Sequence, residues 1–263
     1  MEENCLRVMI VTPAHNEEET IGQCLCAIRK MKAPNGVNVQ HVVVLDRCTD
    51  RTGQICESHG VKVLVKEWRG SFVSPIVEAM DFALKKVDGD LMMKVDADIQ
   101  VTEHTLERLL PHLKGNIACV SAEVKSRTGK KHLDALMWFR DLNYRIAPLG
   151  RKIHGACTLF RGDITGKIGG FDPDAPAWDT GYELKLNKHG YKAEVAEDVI
   201  VLEYRETNVG KLIRHQIDSG KARRKMRIGF LTTLLHSIFR GRPFVIWGYL
   251  FGDTAQRSNR YER

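Results

Sequence analysis

The stretch Leu6-Arg7-Val8-Met9-Ile10-Val11-Thr12-Pro13-Ala14-His15-Asn16-Glu17 changes character halfway along. Leu6 to Val11 is an apolar run of strand length, Thr12 to Glu17 is polar, and over residues 17–31 the apolar Ile21, Leu25 and Ile28 recur at helical spacing. Asn16 followed by Glu19 reads as a capping box that starts this helix. The same unit repeats downstream. Residues 39–45, 61–65, 91–95 and 117–124 are strand-length runs rich in β-branched and apolar residues, and between them residues 50–59, 75–87 and 102–113 carry helix-period patterns. Strands alternating with helices over short connections imply an α/β fold, a mostly parallel sheet with helices on both faces. Ligands on such sheets sit in the crevice beyond the carboxyl ends of the strands, so the residues that follow each strand matter most.

Those residues are polar, with carboxylates foremost. The first strand leads into Thr12-Pro13-Ala14-His15-Asn16-Glu17, the second into Asp46-Arg47-Cys48-Thr49-Asp50-Arg51-Thr52, and the fourth into Asp96-Ala97-Asp98. Neither a Gly-x-Gly-x-x-Gly nor a Walker-type loop follows any strand, so phosphate is not held in the dinucleotide or P-loop manner. An acidic rim holds a diphosphate only through a cation. Asp96 and Asp98, on alternate positions at a strand end, are suited to one hard divalent ion, although alone the pair reads more readily as a solvated acidic turn.

Four motifs in order resolve that choice: Val11-Thr12-Pro13-Ala14-His15-Asn16-Glu17-Glu18, Val44 to Thr52, Val95-Asp96-Ala97-Asp98, and Gly169-Gly170-Phe171-Asp172. Together they resemble the family 2 glycosyltransferases of GT-A fold, over about residues 7–205. The resemblance implies that the loop after the first strand cups a nucleotide base with Pro13, Ala14, Asn16 and Glu17, and that Asp46 hydrogen-bonds the base. It implies that Asp96 lies near the ribose and metal, and that Asp98 is the direct ligand of Mn2+ or Mg2+. Arg69 falls where the family keeps a loop near the diphosphate, and Gly155 and Ala156 where a sugar approaches the backbone closely. In this sequence the paired acids usual before the small-residue turn are reduced to Leu45-Asp46, and the usual Gly-Ser is Arg47-Cys48. Asp50 reads chiefly as a cap for the following helix.

Beyond residue 125 a longer helix is expected around residues 132–146, followed by the Gly-Gly-Phe-Asp turn and Trp178-Asp179-Thr180-Gly181-Tyr182-Glu183. By resemblance Asp179 is the catalytic base, with Trp178 in place of a first acid and Asp172 and Glu183 in reserve. The implied reaction is transfer of a sugar from a nucleotide-diphosphate donor, such as a UDP- or GDP-sugar, to a glycan or lipid-linked acceptor, with inversion. The expected organisation is a catalytic domain over residues 1–205, in a nucleotide-sugar-binding half (about 1–125) and an acceptor half (126–205), then a basic helical extension over 206–263. The alternatives are a sugar-nucleotide pyrophosphorylase, which would need a glycine-rich basic loop after the first strand, and a basic nucleic-acid-binding protein. The second would need aromatics among the tail's basic residues, and 206–227 contain none.

Composition agrees with a globular chain: of 263 residues, 43% are hydrophobic, 28% charged and 7% aromatic, which excludes a disordered tail protein, a collagen and a disulfide-stapled miniprotein. Seven cysteines without a Cys-x2-Cys pair read as reduced thiols. The net charge of +7 is unevenly placed: from Arg205 onward 13 Lys/Arg face 4 Asp/Glu, a surplus of +9 that leaves the body at −2. No apolar run reaches the ~20 residues of a membrane span, so a cytoplasmic location is expected. Two apolar runs in the tail, 228–239 and 244–251, are separated by Arg240-Gly241-Arg242-Pro243. They are expected either to pack on protein or to lie in an anionic head-group layer at the inner face of the membrane.

Overall fold

The computed structural model describes residues 5–67, 74–86, 88–127, 153–204 and 209–252, with residues 131, 133–135, 138 and 142 between them. Arg69 and most of the helix expected around residues 132–146 lie outside these, and the described positions from 131 to 142 are helical.

The eight strands described form one sheet: β1 (Leu6–Ala14), β2 (Val37–Asp46), β3 (Lys62–Lys66), β4 (Leu91–Val95), β5 (Ile99–Gln100), β6 (Ile117–Arg127), β7 (Cys157–Arg161) and β8 (Lys192–Tyr204), in the order β3-β2-β1-β4-β7-β6-β8-β5. The β3-β2-β1-β4 half is parallel throughout, with β1 paired to β2 from Leu6↔Val37 to Ala14↔Leu45. β7 runs antiparallel to both β4 and β6, β6 and β8 are parallel, and β5 is antiparallel to β8. Six strands therefore point one way, which is the mostly parallel sheet expected.

β1 is apolar without alternation because both of its faces are covered. Val8 and Ile10 pack with Cys24 and Ile28 of α1 (Ile21–Lys30), while Met9 and Val11 pack with Val77 and Met80 of α3 (Pro75–Lys86). The short α2 (Thr52–Ser58) buries Cys56 against Ile21 and Leu25.

Two local expectations are corrected. The capping box does not form: α1 begins after Thr20 with no side-chain cap, and Asn16, at φ +54°, turns its Oδ1 to the Thr49 amide (2.7 Å). A hydrogen bond to the neighbouring loop displaced the local one. The helix expected over residues 102–113 is α4 (Thr105–Leu109) followed by a single 3-10 turn, Leu110–His112, since Pro111 has no amide hydrogen to continue the α ladder. The run at 117–124 does not neighbour β4, because β7, from beyond residue 150, is inserted between them. Strands from before and after residue 125 thus share one sheet.

Five further helices follow: α5 (Gly162–Lys167), α6 (Trp178–Lys188), α7 (Val209–Lys225) and the pair α8 (Phe230–Phe239) and α9 (Pro243–Phe251).

Candidate active site

At the carboxyl ends of β1 and β2 the two loops are laced together by side-chain bonds to backbone. Asn16 holds Thr49, the Glu17 amide donates to Thr52 Oγ1 (2.8 Å), and the Glu18 amide donates to Asp50 Oδ2 (3.0 Å). Asp50 Oδ1 accepts from the Thr52 amide (3.0 Å) and hydroxyl (2.6 Å), a turn at the helix start in place of the cap expected, since the N-cap is Arg51. Burial works against its charged form, but the Thr52 and Glu18 bonds outweigh burial and hold its carboxyl below the ordinary value. His15 Nδ1 lies 2.6 Å from the Asp46 carbonyl, and Cys48 Sγ donates to Ala14 O at 3.4 Å. Pro13 and Glu17 are half-buried, Ala14 is buried, and Asn16 is exposed at the rim.

Asp46 is buried and heavily engaged. Arg47, at φ +52°, reaches both of its oxygens (Nε–Oδ1 3.0 Å, Nη2–Oδ2 3.1 Å), and Lys66 Nζ lies 3.1 Å from Oδ1 and 3.1 Å from Glu78 Oε2. Lys66 and Glu78 are themselves buried, so this is an interior ion cluster whose partners each keep another from being an uncompensated charge. The departures at Arg47 and Cys48 are explained here: Arg47 replaces a small residue in order to fold back on Asp46.

The centre of the site is built around Lys94, which sequence reasoning passed over. It is the penultimate residue of β4 and is fully buried. Its ammonium forms an ion pair with Asp96 Oδ1, donates to the Gly155 carbonyl (2.6 Å) and lies 5.1 Å from the centre of the Trp178 ring. The signal was present in sequence, as a lysine inside an otherwise apolar strand two residues before Asp96; lysine is almost never fully buried unless paired. The Asp96 amide donates to Ala156 O (2.8 Å), so Gly155 and Ala156 are brought onto the Asp96 segment by their backbone carbonyls. A Cβ on Gly155 would lie 2.5 Å from Trp178 Nε1. Glycine is required there by the indole.

Trp178 is the first residue of α6 and places Asp179 beside this junction. Asp179 is half-buried, in the first helical turn, where the helix dipole favours a carboxylate; its Oδ1 accepts the Thr180 amide (2.7 Å), while the N-cap is Ala177. Burial first, then the charges of Glu183 and Asp179, push the Cys119 thiol of β6 up, so the field of both carboxylates reaches that strand. Asp172 is turned to its own loop, accepting the Asp174 amide (3.0 Å). Gly169 and Gly170, at φ +79° and +69°, make the expected tight turn, which sets Phe171 edge-on to Trp178 with ring centres 6.0 Å apart.

For a metal ion, Asp98 is buried and Asp96 has a quarter of its side chain exposed (27%). Among the described residues no group of three or more His, Cys, Asp or Glu converges as a complete ligand set. Two hard carboxylates with a substrate diphosphate and water completing the shell are the donor set that Mg2+ and Mn2+ accept, so the residues present fit such an ion.

Comparison with known proteins bears on the family and the fold. Residues 9–169 match the family described as Glycosyl transferase family 2. Dolichol-phosphate mannosyltransferase of Pyrococcus furiosus is 29% identical over 122 residues, which span 46% of this chain and 34% of that protein, so the chain matches about a third of that relative's length. Among solved structures, the mannosyltransferase PcManGT of Pyrobaculum calidifontis, in complex with GDP-Man and Mn2+, has a TM-score of 0.64 at 20% identity, covering 92% of this chain and 72% of that one. Glucosyl-3-phosphoglycerate synthase of Mycobacterium tuberculosis, with Mn2+, UDP-glucose and phosphoglyceric acid, has a TM-score of 0.54 at 18% identity, covering 90% and 81%. At these identities the structures speak for the fold, which is GT-A. The family match spans more than half of the chain and includes the loops of β1 and β2, the Asp96–Asp98 pair and Gly155: the chain belongs to glycosyl transferase family 2.

Proposed function

We propose that the protein transfers a sugar from a nucleoside-diphosphate donor to an acceptor hydroxyl by a single displacement with inversion. The observation that carries this reading is the Lys94 junction, which holds Asp96 of the donor side against Gly155 and Trp178 of the acceptor side. Asp179, next to Trp178, takes the proton of the attacking hydroxyl as its oxygen bonds to the anomeric carbon; the bond from that carbon to the diphosphate breaks, and the nucleoside diphosphate leaves. Asp96 and Asp98 would hold a divalent cation, Mn2+ or Mg2+, which when bound offsets charge on the leaving diphosphate. The rim of Pro13, Ala14, Asn16 and Glu17 receives the base, with Asp46 acting through its bonded Arg47. Membership of the family favours a transferase over a pyrophosphorylase or a nucleic-acid-binding protein. GDP- and UDP-sugars are the donors to test, because the structural relatives were solved with GDP-Man and UDP-glucose. The acceptor hydroxyl belongs to a glycan or a lipid-linked molecule.

The test is a donor screen by thermal shift with and without Mn2+, followed by transfer assays. A bound donor at 100 times its dissociation constant stabilises by about 2.7 kcal/mol. Asp179→Asn is expected to keep that shift and lose transfer by about 100-fold or more. Absence of a Mn2+-dependent shift with any GDP- or UDP-sugar would refute the donor class.

A further inference from the structure

The C-terminal helices carry their apolar residues on the wrong side for a water-soluble protein. In α8 the buried positions are polar, Thr233, His236 and Ser237, and Arg240 just beyond the helix is buried as well. The exposed positions are Phe230, Leu231, Leu235, Ile238 and Phe239, with Leu231 66% and Ile238 64% accessible. An ordinary surface helix does the reverse. The inward polar face is bonded: Arg223 Nε donates to Thr233 Oγ1 (3.2 Å), Ser237 Oγ to Arg242 O (2.7 Å), and Arg242 Nη2 to Ser219 Oγ (3.2 Å). Rolling α8 to bury its apolar face would break these bonds, so its orientation is set by them.

In α9 the outward face is fixed by glycine. A Cβ on Gly220 of α7 would lie 2.1 Å from Val245 O, and one on Gly248 of α9 would lie 2.0 Å from Ile217 O, so the two backbones touch along that line. Phe244, Trp247, Leu250 and Phe251 then point away from α7, exposed, with the Trp247 and Phe251 ring centres 4.8 Å apart. The two helices together present an apolar area that a soluble monomer does not normally carry.

We infer that this face is seated in the head-group layer of an anionic phospholipid surface. Charge selects that occupant: residues 209–252 hold nine Lys/Arg and a single acid, Asp218. A second copy would bring the same surplus of positive charge against it, whereas acidic head groups neutralise it. No described helix is long and apolar enough to cross a membrane, so the contact lies in the interface plane, where Trp247 is at home. β8 runs in the direction of β6 and ends at Tyr204, whose amide donates to Asp98 O (2.9 Å), so the chain leaves the sheet for these helices at the active-site end. If the proposed function holds, the lipid-facing helices follow from the end of the sheet that carries the site, where a lipid-linked acceptor would arrive; the docking itself does not depend on that reading.

The experiment is co-sedimentation of the full chain, without donor, with vesicles of phosphatidylcholine alone or with 30% phosphatidylserine, at about 50 and 500 mM salt. Binding is expected only with the anionic vesicles at low salt. Leu231→Asn with Ile238→Asn should reduce it at least tenfold at unchanged Tm, because both side chains are exposed, and removal of one flanking cation, as in Arg227→Gln, should reduce it about fivefold. No binding at low salt, or binding that the double variant leaves intact, would overturn the inference. So would a stable dimer in sedimentation equilibrium that the double variant dissociates, since the face would then belong to a second copy.

Discussion

Gly155→Ala tests whether the junction of donor and acceptor sides is as tight as its geometry says. The added Cβ would lie 2.5, 2.8 and 2.9 Å from Nε1, Cε2 and Cζ2 of Trp178. Non-bonded heavy atoms settle at about 3.5 Å or beyond, so the ring must retreat by roughly 1 Å. It has little room to do so, being buried, edge-on to Phe171 and beneath the Lys94 ammonium. Overpacking of this kind costs about 1–3 kcal/mol, equivalent to a Tm lower by about 2–12 °C in a protein of this size. Trp178 and Asp179 share one helical turn, and a displacement of about 1 Å at a catalytic group costs on the order of 100-fold in rate. Scanning calorimetry and steady-state transfer with Mn2+ should therefore show a lower Tm and a kcat reduced more than donor affinity. Adding Trp178→Phe removes the clashing indole atoms, and the double variant should be more stable than the sum of the single effects. Wild-type Tm and kcat for Gly155→Ala, or strict additivity in the double variant, would refute the reasoning.

Lys94→Met leaves Asp96 without its cation and the Gly155 carbonyl without its donor. Because Asp96 is partly exposed and regains water, the loss should be about 2 kcal/mol, below the ~3–5 kcal/mol of a fully buried pair, and chemical denaturation will measure it. Asp98→Asn keeps shape and removes charge, so folding should survive while the Mn2+-dependent part of the donor thermal shift disappears; a full Mn2+ response would exclude Asp98 as a ligand. His41, half-buried with Nε2 3.0 Å from Thr12 Oγ1, has its pKa lowered by burial to about 4. The unfolded chain then binds the extra proton first as pH falls, so stability is full above pH ~6.5 and declines toward pH ~4 by up to about 3 kcal/mol. His41→Asn should flatten that part of the pH–Tm curve.

Much of the fold was legible in the sequence because it rests on local patterns. The apolar runs at residues 39–45, 61–65 and 91–95 became strands within a few residues of their expected ends, and the helix pattern at 75–87 became Pro75–Lys86. The order of motifs was also sufficient to name the family, since it is a property of the chain and not of its packing. Features that depend on distant partners were not legible. Asn16 has the spacing of a helix cap, but its acceptor went to Thr49, 33 residues away.

The same limit applies at the site and in the tail. Sequence placed Asp96, Gly155 and Asp179 at the ends of different elements, and only the insertion of β7 beside β4 brings Gly155, with Trp178 packed on it, within reach of Lys94 and so of Asp96's partner. The sequence determined that residues 228–251 are apolar and flanked by cations. Which way those side chains point was decided by tertiary contacts: the bonds of Thr233 and Ser237 turn one helix, and the backbone approach at Gly220 and Gly248 turns the other. A period of 3.6 residues tells which residues share a face, but the direction of that face is set by what the opposite side packs against.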